Sequence, residues 1–117
     1  MPTLRRQQDL DRVFQEGRWR RMRAVAVGTY SRDDDGPSRF AVVAGRRIGT
    51  AVRRNRARRR IREALRLMVP EIRGGADVVL AARQDTPDVD FRVLQQAIRR
   101  VLVCEGLLDA HDRENAR

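Results

Sequence analysis

The sequence predicts an α+β fold, a two-layer sandwich of helices packed on one small sheet. Three observations predict it. An apolar stripe of helical spacing runs through an arginine-dense segment, a nearly continuous apolar run follows a Gly-Gly pair, and two short β-forming runs flank an acidic Gly-Pro loop. Read along the chain, the elements run α-β-β-α-β-α. The 117 residues make one domain (1–117), long enough for a modest core but not for two.

Leu10, Val13 and Phe14 stand at i, i+3 and i+4, and Gly17 follows at a natural C′ position, so a first short helix ends near Glu16. Ala24 to Ser31 is a strand with Val25, Val27 and Thr29 on one face. The charges and the Gly36-Pro37 pair make residues 32–37 a loop, and Phe40 to Ala44 is a second strand. Joined by that loop, the two strands are most simply an antiparallel pair. From Thr50, a ready N-cap, the pattern turns helical: Ala57, Ile61, Ala64, Leu65 and Met68 form one stripe, and Pro70 marks the end. Gly74-Gly75 then turns the chain into Ala76–Ala82, whose unbroken apolar character reads as a central strand buried on both faces. Residues 85–88 form a loop. Val93, Leu94, Ala97, Ile98, Val101 and Leu102 give an amphipathic last helix, and the tail from about Asp109 is polar and frayed.

Composition narrows the function. A net charge of +10 implies attraction to nucleic acid that weakens with salt, while 41% hydrophobic content is enough to fold. All 26 basic side chains are arginine, which base composition of the genome alone can produce. The single Cys104 excludes an internal disulfide, fits a reducing cytosol, and is expected to pack beside Val101, Leu102 and Val103. No apolar run approaches the roughly 20 residues of a membrane span, and the N-terminus lacks the apolar core of a signal peptide. The expectation is a soluble cytoplasmic protein.

Between Arg53 and Arg62 stand seven arginines, one asparagine, one alanine and one isoleucine. On a helix these, together with Arg66, produce seven like-charge pairs at i,i+3 or i,i+4, costing on the order of 1–4 kcal/mol together. Only Glu63 offsets them, within reach of Arg59, Arg60 and Arg66. A polyanion outside the chain is the natural complement, and a phosphate backbone fits best. Enzymatic chemistry has no such support. The one histidine, His111, lies in the tail; there is no Cys/His cluster for zinc, no Walker A pattern and no GxSxG, and the Asp33-Asp34-Asp35 run reads as solvated. No catalytic residue and no metal ligand is assigned. The aromatics are few, so a broad stacking platform is not expected: Phe40 and Phe91 read as core, and Trp19 either stacks on a base or covers a sheet edge.

The run Arg46-Arg47-Ile48-Gly49-Thr50-Ala51-Val52-Arg53-Arg54-Asn55-Arg56, continuing through Arg58-Arg59-Arg60-Ile61-Arg62-Glu63, closely resembles the protein subunit of bacterial ribonuclease P. That family carries a basic pair, Ile-Gly, Ala-Val and then Arg-Asn-Arg opening a basic helix. The similarity extends to residues 9–17 and 76–83 and so covers about 5 to 103 in the same order. The resemblance implies three helices on a small, mainly antiparallel sheet of about four strands, with an uncommon left-handed β-α-β crossover. It also implies a function: binding the catalytic ribonuclease P RNA and the 5′ leader of precursor tRNA, with hydrolysis carried out by the RNA and its Mg2+. No cofactor is bound by the protein itself, and neither DNA nor membrane is a partner.

Carried over by position, Arg54, Asn55 and Arg56 match the motif that faces the catalytic RNA. Arg46, Arg47, Arg53, Arg58, Arg59 and Arg62 match basic positions on or beside that surface. Arg56 is thereby expected to serve RNA alone, and its loss to spare stability. Asn55 either bonds RNA or caps a local turn. The family's leader cleft, between the first helix and the sheet, corresponds here to Leu10 and Phe14. Leu10 and Gly28 stand where many members have aromatics, which implies weaker stacking on the leader. Val43 and Gly45 replace common serines, and Arg60 replaces a usual aliphatic. The alternative reading is a non-catalytic RNA-binding module of ribosomal or chaperone type. A DNA-reading helix is disfavoured, since no duplicated or dimeric architecture for half-sites is visible.

Overall fold

The structure, a computed structural model, describes residues 1–110; His111 and the rest of the predicted tail lie outside the described residues. Helix α1 (Gln7–Glu16) leads into strands β1 (Arg18–Arg21), β2 (Val25–Ser31) and β3 (Arg39–Val43). A single 3₁₀ turn (Arg46–Ile48) precedes α2 (Ala51–Arg66), a second (Val69–Glu71) follows it, and β4 (Ala76–Ala82) and α3 (Phe91–Cys104) complete the chain. The prediction of an α+β fold with three helices holds, and the sheet has four strands in the order β1-β2-β4-β3.

The expected antiparallel pairing of the two strands around the acidic loop is corrected. β4 lies between them, antiparallel to β2 and parallel to β3. The physical reason is the burial demand of β4, where residues 76–80 are all buried. Only a central position covers both faces of such a strand and pairs both its edges. The loop linking β2 to β3 instead crosses over the end of β4. There the Arg32 amide donates to the Gly75 carbonyl at 2.8 Å and the Gly75 amide to the Gly36 carbonyl at 2.8 Å. The crossing is tight: a Cβ on Gly74 would lie 2.6 Å from the Gly36 carbonyl oxygen. Gly75 itself takes φ +91°, which favours glycine.

β1 is an element that the sequence does not announce. Its residues Arg18, Trp19, Arg20 and Arg21 show no apolar alternation, because an edge strand with mostly exposed side chains needs none.

The two faces of the sheet differ. On one, Val25, Val27, Phe40, Val78 and Leu80 meet Ile61, Leu65 and Met68 of α2 and its C-terminal turn, with Leu94, Ile98 and Leu102 of α3, in the main core. On the other, α1 seats Val13 over Val79, with Leu4 buried and Leu10, Trp19 and Tyr30 packed around them. Both long helices are capped, α2 by the predicted Thr50 and α3 by Asp90. Thr50 Oγ1 accepts from the Arg53 amide at 3.2 Å, and Asp90 Oδ1 from the Arg92 amide at 2.8 Å. Phe40 is core, but Phe91, Val93 and Cys104 are exposed, contrary to expectation. Phe91 is the first residue of α3, and Val93 and Cys104 sit on its solvent side.

Candidate nucleic-acid interface

α2 sorts its polar residues into three stripes. Along the flank facing the 84–89 loop, arginines are tied to backbone oxygens. Arg53 donates from Nε to the Ile48 carbonyl at 3.1 Å, and from Nη2 to the Gln84 carbonyl at 3.2 Å and to Asp88 at 3.0 Å. Arg56 Nε donates to the Pro87 carbonyl at 2.9 Å, and Arg60 donates to the same carbonyl at 2.6 Å and to that of Val89. These bonds explain an arginine at position 60: it straps α2 to the loop. The bond from Arg53 holds the Asp88 carboxyl below the ordinary aspartate range.

The opposite flank holds Arg54, which donates to the Gly49 carbonyl at 2.7 Å, and Arg58, which donates to Asn55 Oδ1. Asn55 therefore orients an arginine, and it does not cap the helix start, where Thr50 serves. Between the flanks runs a crest of Asn55, Arg59, Arg62 and Arg66, all exposed. Glu63 pairs with Arg66 at 2.7 Å, which lowers the carboxyl's pKa, and not with Arg59 or Arg60.

The Arg59 and Arg62 side chains have no ion pair or hydrogen bond among the described residues, and nor do those of Arg46 and Arg47, exposed in the 3₁₀ turn. The first turn of α2 contains no acid. Its partly positive backbone end therefore adds to the arginine field instead of opposing it, an arrangement that favours an anion in contact.

A second feature lies on the α1 side of the sheet. α1 covers only part of that face, leaving a cavity of about 590 Å3. Its floor is made of Ala26 and Ala81, its aromatic wall of Phe14 and Trp19, and its rim includes Arg21, Arg23, Arg47 and Arg83. Phe14 and Trp19 stack with ring centres 5.2 Å apart. Of the two leader candidates, Phe14 is half exposed on this cavity, whereas Leu10 is partly buried in the apolar cluster beneath α1. Trp19 and Arg83 join the wall from β1 and the end of β4, so no spacing in the sequence brings them together. Arg47 and Ile48 belong to the cavity and directly precede α2, so the cleft and the arginine helix form one continuous surface.

Beyond these groups the chain offers little that could perform chemistry. Among the described residues no three His, Cys, Asp or Glu side chains gather as a metal site, and no helix is long and apolar enough to cross a membrane. Asp34 of the acidic loop is held by Arg32 through two bonds of 2.9 Å.

Comparison with known proteins gives one answer by sequence and by fold. A protein component of ribonuclease P from Symbiobacterium thermophilum is 41% identical over 96 residues, spanning 82% of this chain and 84% of its own. One from Chloroflexus aggregans is 38% identical over 112 residues, spanning 95% and 82%. Among solved structures, the RNase P protein of Thermotoga maritima superposes with a TM-score of 0.72 at 28% identity, over 87% of this chain and 96% of that one. That of Staphylococcus aureus shares the fold with a TM-score of 0.78 at 23% identity, over 93% and 99%. The model of the Ribonuclease P family matches residues 2–104, which include the whole of the sheet, the arginine helix and the cleft, and the chain belongs to that family as the protein component of an RNA-partnered endoribonuclease.

Proposed function

We propose that this chain binds the catalytic RNA of ribonuclease P through α2 and the turn before it, and holds the 5′ leader of precursor tRNA in the cleft. Together these contacts promote endonucleolytic removal of the leader to give the mature tRNA 5′ end. The observation that carries this reading is the continuity of the two surfaces. Arg46, Arg47, Arg59 and Arg62 present guanidinium groups unpaired among the described residues, and the turn that holds the first two also walls a cleft with an aromatic pair.

The contributions of individual residues follow from their partners. Arg59 and Arg62 are free to grip phosphate in the bidentate manner of guanidinium. Arg58, held by Asn55, presents its remaining donors in a fixed direction. Arg54 and Arg56 each commit one bond to the fold and offer the rest outward. The hydrolytic step belongs to the RNA component, with whose phosphates Mg2+ associates and supplies charge stabilisation. The protein's part is to position and to neutralise. Such a role places the protein in the cytoplasm, where precursor tRNA is processed, with neither membrane nor DNA as a partner.

The test is cleavage of a precursor tRNA by a bacterial ribonuclease P RNA at low magnesium, with and without the protein. Cleavage at the mature 5′ end only when both are present is the expected result. Binding without stimulation, even with the cognate RNA, would transfer the protein to the class of non-catalytic RNA-binding modules. Cleavage by RNase-free protein alone would refute the assignment of hydrolysis to RNA.

A further inference from the structure

Trp19 and Gly28 are directly paired across β1 and β2. The indole lies flat over the glycine: a Cβ on residue 28 would fall within 2.7 Å of three ring atoms. The ring is anchored at its edge, where Nε1 donates to the Val13 carbonyl at the end of α1 at 3.0 Å. Phe14 stacks beside it, and the Arg21 guanidinium lies 5.6 Å from the ring centre. Space for any side chain at position 28 is therefore taken by the side chain of position 19. A glycine there is the condition for the indole to lie down, and the indole in turn fills what the glycine leaves empty.

We infer that Trp19 is a stacking residue for a base of the single-stranded 5′ leader. The inference rests on the reading of the cleft as the leader site. Four features favour a base over simple covering of the sheet. The indole is only partly buried, although the sheet residues under it are buried. It faces a cavity of about 590 Å3, within the range of about 300–1,000 Å3 typical of small-ligand sites. The Arg47 and Arg83 side chains have no partner among the described residues and stand on the same rim, where they complement phosphate. Finally, aromatic faces beside arginines are the chemistry by which single-stranded nucleic acid is held, the ring taking the base and the guanidinium the backbone. The small floor of Ala26 and Ala81 lets the base approach the sheet closely. Trp19 is thus a positioning residue for substrate, and the cleft is not short of aromatics.

Trp19 is the only tryptophan in the chain, so its fluorescence reports on the site without labelling. In the assembled holoenzyme, affinity is measured for precursor tRNA and for mature tRNA lacking the leader. Trp19→Ala is expected to weaken precursor binding about 5- to 150-fold, the range of one base–aromatic stack, and to leave mature tRNA binding unchanged. Trp19→Phe is expected to retain most of the affinity. The exchange Trp19→Ser with Gly28→Tyr, which moves the ring to the other strand, is expected to restore it. Unchanged precursor affinity in a folded Trp19→Ala protein overturns the inference even when the unsubstituted holoenzyme cleaves normally.

Should Trp19→Ala not fold, titration of the unsubstituted protein with a short single-stranded RNA decides the matter. Quenching of the indole that saturates with binding supports stacking, and binding without any change in emission refutes it. This titration needs no cleavage, so it separates failure of Trp19 from failure of the ribonuclease P assignment.

Discussion

The Nε of Arg56 donates to the carbonyl of Pro87 at 2.9 Å, and Arg60 reaches the same oxygen from one turn further along the helix. The motif arginine at 56 is therefore bound to the fold on one side while it offers its other donors to solvent. Arg56→Ala is expected to weaken RNA association and also to destabilise the protein by about 1 kcal/mol, the usual worth of one such bond. That corresponds to a midpoint lowered by roughly 4 °C for a domain of this size. Arg59→Ala, which removes no internal bond, is expected to lose RNA affinity at an unchanged midpoint. Thermal unfolding of the two variants side by side checks the distinction, and equal midpoints would refute it.

Asp77 is fully buried and accepts from two arginines: Arg32 at 2.7 Å, and Arg39 through both oxygens at 2.8 Å. Arg32 also closes on Asp34 and on the Ala76 and Pro37 carbonyls, so the carboxylate anchors the loop that crosses β4. Removing it by Asp77→Ala leaves two guanidinium groups facing each other without their acceptor. The expected loss is about 3–5 kcal/mol, as when one partner of a buried ion pair is deleted. Urea unfolding measures it, and a loss under about 1 kcal/mol would show that water replaces the carboxylate.

Acid should weaken the fold from a narrow window. Asp88, hydrogen-bonded by Arg53, and Asp34, hydrogen-bonded by Arg32, both have folded pKa values below the ordinary aspartate value of about 3.9. Near that pH the unfolded chain binds more protons than the folded one. The stabilisation is therefore complete above it and is lost as pH falls through the lower, folded values. Denaturant midpoints are expected to be flat from neutrality to about pH 5 and to decline below about pH 4. Asp88→Asn should make the decline shallower, and an identical profile for that variant would remove Asp88 from the account.

Salt should act on RNA binding steeply. If about six phosphates are neutralised, affinity falls on the order of 10³-fold between about 50 and 200 mM salt. Replacing Arg59 and Arg62 by alanine is expected to reduce the logarithmic slope by roughly 0.7–0.9 for each phosphate no longer neutralised. A slope near zero for the unsubstituted protein would show that charge does not carry the association.

Some of this architecture is legible in the sequence for definite reasons. Ala57, Ile61, Ala64, Leu65 and Met68 repeat at helical spacing between a cap and a proline, and all are buried where that spacing puts them. β4 announces itself by an unbroken apolar run. What stays hidden is non-local. Nothing in residues 25–43 tells that their strands are separated by a strand formed from residues 76–82.

The division of labour on α2 is hidden for a related reason. The partners of Arg53, Arg56 and Arg60 are mostly main-chain oxygens in a distant loop, which every sequence possesses and none advertises. Counting charges finds Glu63 as the sole local acid but not these carbonyls. The cleft follows the same pattern. The sequence displays a glycine at position 28, but the indole that covers it belongs to a strand without alternation, and only the pairing of Trp19 with Gly28 brings them together.

The central place of β4 also orders assembly during synthesis. When the ribosome has released α2 in full, the chain holds β1, β2 and β3 but no strand to stand between the last two. β2 then exposes one edge and β3 lacks its sheet neighbour, while the arginine helix already presents its charge beside ribosomal RNA. The sheet closes only when residues 76–82 emerge, and α3 seals the core after that. A nascent chain stalled just before β4 would therefore carry an open edge and a polycation together, the combination most exposed to misassociation.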